Sequence, residues 1–463
     1  MLTVHKIGGT SMSEFGEVLE NIIIGQADGD DYYNRIFVVS AYNNVTNWLL
    51  EHKKTGEPGV YDLFVRGEGY ESALEDLLQK LIAINRTFGS IGLDQTVADR
   101  FITMRVQQSR NYLNNLAGVL ASGYVNRANI LLAAREILAS IGEAHSAFNS
   151  VNILRSRGIN ALFMDLCGFN DTDYLTIDER IRKAFKNIDV SNTLPIATGY
   201  TKGTEGIMRE FDRGYSEVTF SKIAAEVKAT EAVIHKEYHL SSADPAIVGA
   251  GHSRPVGHTN YNVADQLADI GMEAIHPKAS KPLELAGISI RIRNTFEPTH
   301  PGTLITRNYR GKESRVEVIS GTDKVMAIEV HDPLMVGQVG FDLNLMKLVE
   351  RYHISYILKA TNANSITTVI WEKDRNRELI RELKETYQEV TEKKVALVCA
   401  LGTNIAKPGA LAGATNALLE NNINIEAVSQ SLKQVNMQFV ISRSDYKKAI
   451  VALNKALCLE NDK

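Results

Sequence analysis

Apolar and polar positions along the chain follow two grammars. Up to about residue 300, short apolar runs alternate with stretches of helical period. Leu2–Val4 with Ile7 reads as a short strand running into Gly8-Gly9. Arg35–Ala41 (RIFVVSA) is a near-continuous apolar run ending in small residues, the pattern of a strand covered on both faces, as in a parallel sheet. Residues 60–147 hold almost no proline and long 3.6-residue periods, clearest at Ala128–Ile141 (ANILLAAREILASI). Strand-like and helix-like segments then alternate at Ile159–Asp165, Leu194–Gly199, Ser216–Val227, Ala232–His235, Val263–Ile270 and Ile288–Arg293. Such alternation predicts an open, mostly parallel α/β sheet with helices on both faces.

Near residue 300 the grammar changes, at the turn-rich break Glu297-Pro-Thr-His-Pro-Gly302. A unit then begins at Val325: a strand (VMAIEV), a glycine-punctuated loop (Met335–Gly340), a helix (FDLNLMKLVERY), a strand (ISYILKA), a polar turn and a strand (ITTVIW). The same order recurs from Val395: VALVC, Ile405–Gly409, ALAGATNALLENN, INIEAVSQ, SLKQVN and MQFVIS. Each unit is the size of a split βαβ module, and two copies are too few for a solenoid. The expected divisions are 1–310, with a helical insert at about 60–147, then 318–392 and 393–463.

Composition narrows the class. The chain has 463 residues, a prior of about three domains. Lys plus Arg is 51 and Asp plus Glu is 55, a balance that gives no electrostatic reason to expect nucleic acid or an anionic membrane as partner. No apolar stretch reaches the length of a membrane span, and Met1–Thr10 has no export-signal pattern, so the expected location is cytoplasmic. Cys167, Cys399 and Cys458 are far apart and form no CxxC pair.

Several segments could carry chemistry. Lys6-Ile-Gly-Gly-Thr-Ser11 lies between a strand and a predicted helix. Its glycines let backbone N–H groups approach phosphate oxygens, and its lysine adds a point charge; the same turn also reads as purely structural. The P-loop, HRD and DFG motifs are absent, so phosphate chemistry here would fall outside those classes. Ser40–Asn47 (SAYNNVTN) follows a buried strand, at the edge where open α/β sheets bind ligands, or forms a polar turn with Thr46 or Asn47 near a helix start. Gly142-Glu143 ends the long helical pattern, where a glutamate is commonly solvated. Phe211–Glu217 (FDRGYSE) offers Arg213 as a bidentate clamp for a carboxylate, or a surface turn with an ion pair. His276-Pro277 reads as a helix start, and Ile288–Arg293 (ISIRIR) as a strand with one wet face.

Together, in order and along nearly the whole chain, these segments resemble the aspartokinases of the amino-acid kinase fold. The family's opening KxGGTS corresponds to Lys6–Ser11, its VVSAxxxVTN to Val38–Asn47 and its helical GE to Gly142-Glu143. Its RG-x-S with a following acid corresponds to Arg213–Glu217, and its HP with RNTFxPxxPGTxI to His276-Pro277 and Arg293–Ile305. The C-terminal repeats resemble the paired ACT domains of the same family. IHKEYHLSSADP (Ile234–Pro245), GMEAIHP and FDRGYSE resemble the aspartokinases associated with ectoine synthesis.

The resemblance implies transfer of the ATP γ-phosphate, with Mg2+, to the β-carboxylate of L-aspartate. It implies that Lys6 and the Gly8 and Gly9 amides face the phosphates, and that Glu217, where the family has Asp, orients Lys6 as the second catalytic residue. It places Thr46, Glu143, Arg213 and Ser216 on aspartate, and Ser40, Lys236, Glu237 and Asp244 on the nucleotide side; no metal ligand is assigned to the protein. Common aspartokinases have Thr-Asp where this chain has Lys236-Glu237, Lys where it has Glu273, and Arg where it has Ala246. The nucleotide pocket is therefore expected to be rebuilt, with Lys236 supplying part of its charge. The ACT-like repeats imply a homodimer or larger homo-oligomer and leave open an amino-acid effector. Related kinases of glutamate, acetylglutamate or UMP lack the two repeats. A non-catalytic amino-acid sensor would be expected to have lost Lys6 or Arg213, and both are present.

Overall fold

The computed structural model of the protein describes residues 1–27, 32–53, 55–211, 214–249, 251–272 and 275–459. Fourteen strands are described: β1 (Thr3–Ile7), β2 (Arg35–Val39), β3 (Ala161–Met164), β4 (Leu194–Thr198), β5 (Glu231–Lys236), β6 (His258–Asn260), β7 (Ser289–Asn294), β8 (Thr303–Thr306), β9 (Val318–His331), β10 (Tyr356–Thr361), β11 (Ser365–Trp371), β12 (Glu389–Leu401), β13 (Ile425–Ser429) and β14 (Asn436–Ser442). The chain divides into two compact units, Met1–His239 with Ile275–Leu304, and Leu240–Ala274 with Ile305–Lys463.

In the first unit six strands run parallel in the order β3-β4-β2-β1-β5-β7. Every residue of β2 and β4 is buried, so both faces of the sheet centre are covered, as the near-continuous apolar run of β2 predicts. The expected α/β class and mostly parallel sheet are both observed. The helical insert is built from Val60–Arg66, Tyr70–Thr87, Gln95–Ser122 and Arg127–Ser156. The last continues well past Ile141, because residues 138–147 are buried on every side rather than on one stripe and so carry little helical period. The helix Ile177–Phe185 starts at a capping box, Thr176 with Glu179.

In the second unit six strands form one sheet in the order β10-β11-β9-β12-β14-β13. Its axis is the antiparallel pair β9–β12, in register from Glu389 opposite His331 to Leu401 opposite Val318, with a shift at Val395/Leu397. Two apolar cores lie along it. Met326, Ile328 and Val330 of β9 join Val390 of β12, β11 and the helices Phe341–Arg351 and Arg377–Thr386. Ile319 of β9 joins Ala396, Val398 and Ala400 of β12, β14 and the helices Ala410–Glu420 and Tyr446–Asn454. Where the sequence pattern divides the repeats at 392/393, the structure threads both through the same two long strands. Residues 240–274 add to the second core through Ala243, Ile247 and Val248.

Candidate active site

The C-terminal ends of β1, β2, β4 and β5 converge in the first unit, where the chain leaves each strand through polar residues. β1 delivers Lys6 and runs into Gly8-Gly9. A Cβ on Gly9 would stand 2.7 Å from the Ala41 carbonyl oxygen, so only glycine lets the turn lie against the end of β2. A Cβ on Gly142 would fall 2.6 Å from that of Ala41; its absence brings the long helix down onto the same strand end and Glu143 into the site.

Glu217, on the helix Tyr215–Glu226, is the centre of charge. Its Oε1 is 3.6 Å from Lys6 Nζ and 3.9 Å from Lys236 Nζ, and its Oε2 accepts from the backbone N–H of His276 at 2.7 Å. Burial pushes the Glu217 carboxyl up, but the two ammonium groups and the His276 amide outweigh it and hold the carboxyl below its ordinary value. At 3.6 Å Lys6 is held by charge rather than by a hydrogen bond, so its N–H donors can turn to an incoming anion. Glu237 accepts from Ser11 Oγ at 3.4 Å, and a Cβ on Gly8 would lie within 4 Å of both Glu237 Oε1 and Lys6 Nζ. Gly8 therefore opens onto this corner.

Beside it, Ser40 Oγ donates to Ser216 Oγ at 3.2 Å. Glu143 is 2% exposed; its Oε1 accepts from Tyr215 Oη at 2.8 Å, and its Oε2 is buried without a hydrogen-bond partner. Burial raises its pKa to about 7, against the opposing pull of the Tyr215 hydroxyl, the backbone at Glu143 and Ala41, and the Lys6 charge. Thr46 is half-buried on the helix Val45–Leu49, whose Val45 and Leu49 flank Gly142.

Lys6, Gly8, Glu217, Lys236 and Glu237 thus share one corner, with Ser40, Ser216 and Glu143 along the same edge. Glu143 is buried, not solvated as a glutamate at a helix end commonly is. Asp244 belongs to the other unit, where its carboxylate caps the short helix Pro245–Val248 through the Ala246 N–H. Arg213 and Glu273 lie outside the described residues. Tyr215 is the residue that motif reading passed over, and of the named His276-Pro277 pair it left unread the backbone contact with Glu217. Tyr215 occupies the unspecified position of RG-x-S, and its partner lies 72 residues away, so no local pattern marks it. Among the described residues no group of three or more His, Cys, Asp or Glu is arranged to hold a metal ion, and no helix is long and apolar enough to cross a membrane.

A parallel α/β sheet with a lysine and two glycines at its C-terminal edge, joined to a doubled α+β module, defines a kinase of the amino acid kinase class. The amino acid kinase family model matches residues 1–294, and an ACT domain model matches 398–457. An aspartate kinase, Ask_Ect, from Stutzerimonas stutzeri is 47% identical over 99% of this chain and 97% of its own length. Aspartokinase 1, chloroplastic, from Arabidopsis thaliana is 26% identical over 99% of this chain and 80% of its own. The chain belongs to the aspartokinase family. In fold it is similar to E. coli aspartokinase III in complex with aspartate and ADP (TM-score 0.74, 19% identity, 99% of this chain and 100% of that one). It is likewise similar to Clostridium acetobutylicum aspartate kinase (TM-score 0.68, 20% identity, 98% and 99%).

Proposed function

We propose that the protein transfers the γ-phosphate of ATP to the β-carboxylate of L-aspartate, giving 4-phospho-L-aspartate and ADP. The observation that carries this reading is the pairing, at one sheet edge, of a corner that holds two lysine ammonium groups beside the Gly8-Gly9 turn with a buried carboxylate that keeps one oxygen unpartnered. The first suits a polyphosphate and the second an ammonium group.

The nucleophile is a carboxylate that is ionised at neutral pH, so no general base is needed. The barrier lies in bringing an anion against a polyanion and holding the two in line, which is a matter of positioning and charge. Lys6, with the Gly8 and Gly9 amides, faces the β- and γ-phosphates. Glu217 keeps Lys6 and Lys236 at the phosphate end, and Lys236 supplies charge that other aspartokinases place elsewhere. Arg213 and Ser216 take the aspartate α-carboxylate, with Thr46 as a further hydroxyl partner, while Glu143 Oε2 takes the ammonium. Ser40 and Glu237 border the phosphates. Mg2+ enters with ATP as part of the substrate and neutralises phosphate charge.

The doubled module would pair with its counterpart in a second copy, making a homodimer or larger oligomer, and would be the place for an amino-acid effector. The likeness to Ask_Ect supports a role in ectoine supply. Coupled detection of ADP with aspartate, glutamate and acetylglutamate in parallel tests the reading. ADP release with aspartate alone is expected; release with another acceptor and not with aspartate would refute it.

A further inference from the structure

Glu143 lies at the end of a buried chain of polar groups that runs away from the phosphate corner. Tyr215 Oη donates to Glu143 Oε1 at 2.8 Å. The Tyr215 ring meets that of Tyr200 edge-on, with centroids 5.8 Å apart. Tyr200 Oη donates to Glu136 Oε2 at 2.7 Å, and Glu136 Oε1 accepts from the Met208 N–H at 2.8 Å, in the first turn of the helix Ile207–Phe211. Tyr200 and Tyr215 are 3% and 2% exposed, so neither hydroxyl has bulk water as an alternative partner.

We infer that Tyr215 is a positioning residue for substrate binding, whose hydroxyl fixes the rotamer of Glu143 so that Oε2 alone faces the aspartate ammonium. The inference rests on the assignment of Glu143 to that ammonium. Three observations carry it. One carboxylate oxygen is satisfied inside the protein and the other is buried and unpartnered, which is the state of an acceptor waiting for a donor. Tyr215 comes two residues before Glu217, so one helix start sets both the acid of the phosphate corner and the orientation of the acid of the ammonium pocket. The ring is locked by Tyr200 and by burial, so the hydroxyl is placed before substrate arrives, which lowers the cost of ordering the site.

The ionisable groups around Glu143 are Lys6 from β1, Tyr215 from its own helix and Cys167 from the segment after β3; Glu136 and Tyr200 face Tyr215 from behind. Lys6 and the Tyr215 hydroxyl both favour the ionised carboxylate that an ammonium requires. Loss of the hydroxyl removes the largest of the influences that oppose burial, leaving the backbone at Glu143 and Ala41 and the Lys6 charge, so the acid limb of the aspartate kcat/KM profile must move to higher pH.

The test is Tyr215→Phe, which keeps the ring and removes one oxygen, with Glu143→Gln run beside it in the full-length protein. For Tyr215→Phe the aspartate KM should rise about ten-fold or more, the scale of a hydrogen bond to a charged group. The ATP KM should change less than about two-fold, and the acid limb should move up by about half a pH unit or more. An unchanged aspartate KM and acid limb, while Glu143→Gln loses aspartate, would overturn the positioning role and leave the kinase reading intact. Unimpaired aspartate binding by Glu143→Gln would remove the ammonium assignment and the inference with it. A Tyr215→Phe protein that fails to fold would assign the hydroxyl to stability and overturn the inference as well.

Discussion

At the residue scale, the corner proposed for the phosphates sets two ammonium groups against Glu217. Lys6 is buried against the base of the site, so its charge is little screened by water and acts most strongly on a transferring phosphate. Lys6→Met should fold and lose about 100-fold or more in kcat, the effect of removing one preorganised charge; near-normal turnover would remove it from the phosphate site. Lys236 is more exposed and sits farther from Glu217, which suits a binding rather than a transition-state role. Steady-state kinetics of Lys236→Ala should show the ATP KM raised several-fold and the aspartate KM nearly unchanged. An unaltered ATP KM would show that the charge missing at Glu273 has not been relocated to Lys236.

At the element scale, two backbone approaches set the geometry. Gly142→Ala would push a methyl group against Ala41 in a fully packed contact, an overpacking of roughly 1–3 kcal/mol. Thermal unfolding should report that loss, and the aspartate KM should rise because the helix carrying Glu143 must back away from β2. Beneath the same edge, His5 of β1 and His235 of β5 meet at 3.0 Å between buried ring nitrogens. Burial lowers both pKa values, that of His235 to about 3, so both rings are neutral in the fold. A base whose folded pKa is depressed contributes stability that is complete above its ordinary value near 6.5 and is lost as pH falls from there toward 3. Glu143 works in the opposite sense, losing stability as pH rises from about 4.5 to about 7, so the raw profile mixes the two. A His235→Asn comparison isolates the histidines: the Tm advantage of the wild type should shrink below pH 6.5, and a pH-independent difference would contradict this.

β2 was legible because a strand buried on both faces writes a near-continuous apolar run, as Ile36–Val39 does, and β7 because a strand with one wet face alternates, as Ile288–Arg293 does. The strand-end turns at Lys6-Ile-Gly-Gly and Ser40–Asn47 were legible because each is a contiguous motif. What was not legible is long-range. The Tyr215–Glu143 bond joins segments with no shared pattern, and β9 reads as starting at Val325 because the apolar alternation is broken at Gly321–Lys324. The helix Ile177–Phe185 was within reach, since Thr176 and Glu179 stand at capping-box spacing.

At the scale of the whole molecule, the two C-terminal repeats are one cooperative object, because β9 and β12 each supply residues to both cores. Removing residues 320–463 would strip the core on which Ala243, Ile247 and Val248 pack. The truncated chain should sediment as monomer or aggregate; a soluble, stable dimer would count against the assembly role given to the repeats. The central claim is the chemistry, and an acyl phosphate can be caught directly. With ATP, Mg2+ and L-aspartate in the presence of hydroxylamine, the protein should form aspartate β-hydroxamate in step with ADP. ADP release with no hydroxamate, or hydroxamate formed from glutamate and not from aspartate, would contradict the account.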